Sequence, residues 1–153
     1  MLTAEQESRL ALVTKLHAGA GVNGLEDACV MQAVDWVYRN RDHFTDAPEC
    51  TPPSLRRFAI GLNDARWPSD VERTDTLRPL IPLLVGADPS QRSEQARAWL
   101  FADFAVREIA PMAFDALFAQ TNKEVYREQA AKMRAVKKIM DAKTARAANK
   151  IAR

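Results

Sequence analysis

The sequence predicts an all-α fold, an irregular bundle of five to seven helices with proline-rich connections and a basic C-terminal helix. Apolar residues recur at spacings of three and four along most of the chain, which is the period of a helix face. The one strand-like run, LRPLIPLLV from Leu77 to Val85, carries Pro79 and Pro82, and each would remove a ladder donor from a sheet. Three of the eight prolines cluster in DAPECTPP, from Asp46 to Pro53, with one helical pattern running into that stretch and another running out of it.

Thr3 to Ala20 reads as the first helix. Thr3 and Gln6 stand at capping-box spacing, and Leu10, Val13, Leu16 and His17 form the stripe. Three glycines between Gly19 and Gly24 end it. No strand precedes them and no Lys-Ser/Thr follows, so the context of a phosphate-binding loop is missing. Leu25 to Arg41 is the second helix. Its broad apolar face, including Cys29, Ala33, Trp36 and Val37, marks a buried, central element. Ser54 to Ala65 is the third, capped by Thr51 or Ser54. Ser69 or Asp70 caps a short turn, and Pro79 and Pro82 start and bend the next segment.

The strongest periodicity runs from Gln91 to Phe118 behind Ser90 or Ser93, and Pro111 must kink or divide that helix. Asp103 and Arg107, four apart near its apolar stripe, fit a salt bridge. Asn122 is an N-cap candidate for a long basic helix reaching Ala148. Tyr126, Met133, Met140 and Ala147 repeat there at sevens as a weak coiled-coil seam.

Charge divides the chain. Residues 1–119 hold 12 Lys and Arg against 17 Asp and Glu, or −5, whereas residues 120–153 hold 10 against 3, or +7. The body uses arginine with Lys15 as its sole lysine, and the tail has six lysines. A helical domain over 1–119 and a basic tail over 120–153 follow, the tail being the kind that engages a partner. No apolar run approaches a membrane span, and MLTAEQESRL lacks the layout of a signal peptide. A cytoplasmic location is expected. Cys29 and Cys50 then read as buried free thiols, with a disulfide or a metal site as the alternatives. With His17 and His43 they match no zinc spacing, so no metal and no cofactor is expected.

Five blocks carry a resemblance: CVMQAVDWV, DAPEC, LND at Leu62 to Asp64, LRPLIPLLVG, and RAWLFADFAVR followed by AP. Over about Glu26 to Leu117 the chain resembles a family of small uncharacterised proteins of bacteria and phages. The resemblance implies no activity, substrate or ligand. It does imply that Cys29, Asp46, Cys50, Asn63, Asp64 and Arg107 belong to one shared constellation, which as a bland reading is polar scaffolding for proline-rich loops.

Three functional readings stand. The leading one is a non-enzymatic interaction module whose basic helix engages nucleic acid, weakly and without sequence preference, or an acidic protein. Lys132, Arg134, Lys137, Lys138, Lys143, Arg146 and Lys150, spread around that helix, are the candidate contacts. No helix-turn-helix pattern stands out, and Tyr126 is the tail's only aromatic. The second is an enzyme or ligand-binding protein with a polar pocket built from Asp103, Arg107, Asp46, His43 and Cys50. The third is a phage-borne inhibitor or accessory factor acting by surface contact.

Overall fold

The computed structural model describes residues 1–21, 24–39 and 45–151. The all-α expectation holds: nine α-helical segments and no strand occur among the described residues. They are α1 (Ala4–Leu12), α2 (Val30–Arg39), α3 (Pro53–Asn63), α4 (Asp70–Leu77), α5 (Ile81–Leu84), α6 (Gln91–Phe104), α7 (Ala110–Thr121), α8 (Glu124–Arg134) and α9 (Ala142–Ile151). A 3₁₀ turn at Arg78–Leu80 joins α4 to α5, and a π turn at Ala105–Ile109 joins α6 to α7, leaving seven continuous helices. No helix among the described residues is long and apolar enough to cross a membrane.

The chain divides into two compact units, Met1–Ser90 and Gln91–Arg153. The sequence places its boundary at residues 119–120, where the charge changes sign. The contacts divide it elsewhere, because α8 and α9 bury apolar side chains among α6 and α7. The second unit therefore carries 13 Lys and Arg against 7 Asp and Glu, or +6.

The first unit is organised around α2. Val30, Met31, Ala33, Val34 and Val37 are all buried, with Val13, Leu16, Cys29, Cys50, Ala59, Leu77, Ile81 and Leu84 in the same cluster and Trp36 packed against it. That is the central, broadly apolar helix the pattern implies. α1 opens with the expected capping box: Gln6 N–H donates to Thr3 Oγ1, and Thr3 N–H to Gln6 Oε1. It stops at Leu12 rather than Ala20. Tertiary bonds claim the next stretch, where Leu16 N–H donates to Thr74 Oγ1 at 2.8 Å and His17 N–H to Ala28 O at 3.0 Å. Val13 and Leu16 thus reach the core from non-helical backbone, and local periodicity loses to long-range pairing.

α2 likewise begins at Val30, not Leu25. Gln32, in its first turn, folds back so that Oε1 accepts Cys29 N–H (3.1 Å) and Gly21 N–H (2.8 Å), while Nε2 donates to Gly21 O. The Gly21 backbone runs so close to Asp27 that a β-carbon would overlap the Asp27 carbonyl. The N-cap of α3 is Pro52 with Pro53 at N1, and neither Thr51 nor Ser54 caps it. Thr51 Oγ1 instead donates to Leu84 O at 3.0 Å, and Gly86 N–H to Cys50 O, fastening the proline-rich loop to the end of α5. Ser69 caps α4 through Glu72 N–H.

In the second unit, Pro111 has its effect one turn early. It lacks the N–H that would bind Arg107 O, and its ring would strike that carbonyl. The backbone widens into the π turn just before it, with Ala110 N–H reaching Ala105 O, and one bent rod results. The expected long basic helix is two helices. Residues 135–141 interrupt it, so no heptad seam forms: Met140 and Ala147 are exposed. Asn122 does not cap α8. It takes left-handed backbone, φ 53°, and closes α7 by donating its N–H to Phe118 O.

Asn63→Ala tests the packing of the first unit. It leaves the buried Val30 N–H and the His17 carbonyl without partners, which at about 1–3 kcal/mol for each unpaired group costs about 2–6 kcal/mol. Urea unfolding followed by circular dichroism should show the midpoint falling by the corresponding amount. An unchanged midpoint would contradict the role given to this side chain.

Candidate functional site

Asn63 and Asp64, the polar pair of the LND block, sit at the end of α3 and bind backbone. Asn63 is 1% exposed. Its Oδ1 accepts Val30 N–H at 3.0 Å, capping α2 from outside, and its Nδ2 donates to His17 O and Asp64 Oδ1. Asp64 Oδ1 also accepts Gly19 N–H at 2.8 Å. Arg73 Nε donates to Asn63 O, and the Arg73 guanidinium pairs with Asp70. Lys15 Nζ at 3.4 Å and His17 Nδ1 at 3.3 Å approach the other Asp70 oxygen. Partial desolvation works to raise the Asp70 pKa, but Arg73, Lys15 and His17 together hold it below the ordinary carboxylate range.

Cys29 and Cys50 are free, buried and part of the same apolar cluster. Burial pushes both thiols up, so neither has the depressed pKa of a nucleophile. Asp46 is exposed. His43 lies outside the described residues. Asp103 and Arg107 belong to the second unit, whereas the other five members of the candidate constellation belong to the first. Among the described residues no group of three His, Cys, Asp or Glu is placed to hold a metal. The first unit does hold a cavity of about 190 Å³ between α3 and the α4–α5 rod, lined by apolar side chains such as Leu55, Phe58, Leu62, Leu80 and Leu83. No acid, base or nucleophile lines it.

Several residues that organise this unit were not singled out from sequence. Gln32, Asp35, Arg73 and Thr74 are all buried. Asp35 accepts Thr45 N–H at 3.2 Å and pairs with Arg39, which also reaches Glu49 at 2.9 Å, so the proline-rich loop is tied to α2. The available signal was a polar residue standing inside an apolar stripe, at positions 32 and 35 of α2.

The second unit builds a surface rather than a pocket. Asp103 and Arg107 form the expected pair, with Arg107 Nη1 3.2 Å from Asp103 Oδ2. Asp103 Oδ1 also accepts Ile139 N–H at 2.8 Å, pinning the 135–141 connection. Val136 and Ile139 are buried there with Ala148, packed against Trp99, Ala102, Val106 and Ala145. α9 starts from a reciprocal cap: Thr144 N–H donates to Asp141 Oδ1 at 2.7 Å, and Asp141 N–H to Thr144 Oγ1 at 3.0 Å. Those bonds from Thr144 hold the Asp141 carboxyl below its usual range. Along α7 and α8, Phe114 and Tyr126 stack with centroids 6.3 Å apart, and Arg127 lies over the Phe118 ring.

Lys132, Arg134, Lys137, Lys138, Lys143, Arg146 and Lys150 are all exposed. Arg134 pairs with Asp115, and that bond raises its pKa. Among the described residues the other six make no ion pair within 4 Å. The expectation that the cations are spread around one helix does not hold for α9. Lys143, Arg146 and Lys150 fall at i, i+3 and i+7 on the face opposite buried Ala148, because Ala145 and Ala148 are committed to the core. Within residues 132–150 stand seven cations and one carboxylate, Asp141, which is occupied by the cap.

No family model, curated protein or solved structure matches the chain.

Asp103→Ala should unpin the connection without touching the basic residues. Amide exchange at Ile139 and through α9 is expected to accelerate by about tenfold or more, since a buried N–H loses its acceptor. Protection unchanged from the parent protein would show that apolar packing alone holds this segment.

Proposed function

We propose that the chain is a non-enzymatic interaction module whose second unit binds the phosphate backbone of a nucleic acid. The observation that carries this reading is the set of six exposed cations on the α8–α9 segment that pair with no carboxylate within 4 Å among the described residues. Unneutralised cations at this density can displace the counterions condensed on a polyphosphate, and long-range attraction follows. Five of the seven cations are lysines. Lysine is depleted from the cores of protein–protein interfaces, which favour aromatics, methionine and arginine. Beside the α9 cations the face offers Ala147, so a protein partner would gain little apolar burial there. Phosphate needs none.

The first unit supports the same reading by what it lacks. Asn63 and Gln32 are spent on backbone groups, the two thiols are buried and pushed up in pKa, and the apolar cavity beside α3 carries no reacting group.

Fluorescence anisotropy with a labelled oligonucleotide across a salt series tests the proposal. Binding should weaken steeply as salt rises. Lys143→Ala/Arg146→Ala/Lys150→Ala should lower the slope of log affinity on log salt by about 3, roughly one per lost phosphate contact. Absence of binding at low salt, together with retention of the chain by an acidic protein partner, would replace nucleic acid by protein. An unchanged slope in the triple variant would remove α9 from the interface.

A further inference from the structure

α9 has two unlike faces, and the difference bears on which nucleic acid it fits. Ala145 and Ala148 turn inward onto Val136, Ile139 and Trp99, so the helix is seated and cannot roll. Lys143, Arg146, Ala147 and Lys150 turn outward, spanning about 11 Å at 1.5 Å per residue. Ala147 flanks the cations on one side with only a methyl group, and exposed Asn149 flanks them on the other. The helix is therefore slim where it is basic. Its N-terminal turn is closed by the Asp141–Thr144 cap, which places the Asp141 carboxylate at that end.

Single-stranded nucleic acid is held chiefly by stacking bases on exposed aromatic rings. The cation-bearing segment has none to offer. Tyr126 is stacked on Phe114, Trp99 is packed against the Val136–Ile139–Ala148 cluster, and Phe118 lies beneath Arg127. Phe104 is exposed, but it belongs to α6 and not to the helices that bear the cations. A duplex asks for something else. The major groove of B-form DNA, about 12 Å wide, admits one α-helix between two rows of phosphates. A-form RNA closes that groove to a helix.

We propose, resting on the phosphate-binding reading above, that α9 seats in the major groove of B-form duplex DNA. Ala147 faces the floor of the groove. Lys143, Lys150 and Arg146 lie about 40°, 60° and 100° to one side of Ala147 around the helix, so they reach the phosphates along one edge, and Lys132, Lys137 and Lys138 at the α8–α9 corner add backbone contacts. α8, the 135–141 connection and α9 then play the parts of the first helix, the turn and the groove helix in helix–turn–helix docking, with a connection longer than usual. Because the contacts go to phosphates, sequence preference is slight.

The full chain is titrated by anisotropy against three labelled probes of one sequence: a 20-base-pair DNA duplex, the matching RNA duplex, and one DNA strand. The DNA duplex should bind about tenfold more tightly than either other probe at the same salt. Ala147→Trp adds bulk on an exposed position without changing charge. It should weaken DNA-duplex binding about tenfold and leave single-strand binding equal or tighter, since the added ring can stack a base, with helicity checked by circular dichroism. Equal affinity for all three probes, or an Ala147→Trp protein that binds the DNA duplex undiminished, would overturn groove seating while leaving phosphate binding intact. Failure to bind any of the three would overturn both.

Discussion

The Asp103 carboxylate is 13% exposed, and a charge so placed must be paired and hydrogen-bonded to be tolerated. Asp103 finds a guanidinium one turn along its own helix, in Arg107, and a backbone N–H in Ile139, 36 residues away. The second bond is the consequential one. It holds the 135–141 connection against α6, and in doing so draws Val136 and Ile139 into the core beside Trp99. A helix could not continue through that point. α9 begins afresh from its own cap, and its direction is set by the connection rather than by α8. What would have been a projecting rod with charge on all sides becomes a short seated helix with charge on one.

The first unit obeys the same rule with different residues. At several places where its backbone leaves helical geometry inside the fold, a polar side chain meets the exposed N–H or carbonyl: Asn63 for Val30 and His17, Gln32 for Gly21 and Cys29, Thr74 for Leu16, Asp35 for Thr45. Buried backbone groups demand such partners. The side chains that supply them are the ones that look most like a site when read as residue types. Their hydrogen-bonding capacity is committed inward, which is why a rich polar constellation is compatible with no chemistry at all.

Helix content was legible because it rests on local periodicity and on prolines, which act through their own backbone. The Thr3–Gln6 box, the Ser69 cap, the Pro79–Pro82 bend and the Asp103–Arg107 pair all depend on residues within four positions of one another. The errors share the opposite property. α1 stops early because Thr74 and Ala28 bind its continuation, α2 starts late because Asn63 and Gln32 cap it, and the basic helix breaks because Asp103 reaches Ile139. Each involves a partner that periodicity cannot see. The seven cations were legible as a cluster. The alignment of three of them, Lys143, Arg146 and Lys150, on one face of α9 was not, since it follows only once the break at 135–141 resets which alanines face inward.

The functional account thus rests on shape as much as on charge: a basic face that is slim, fixed and free of stacking rings. Chemical-shift mapping of the ¹⁵N-labelled full chain on adding a short DNA duplex tests it most directly, because it reports the surface and not only the affinity. The account predicts shifts concentrated at residues 132–138 and along the outer face of α9, at 143, 146, 147 and 150, with the α3–α5 cavity silent. Shifts centred on that cavity, or scattered over both units without focus on α9, would contradict it.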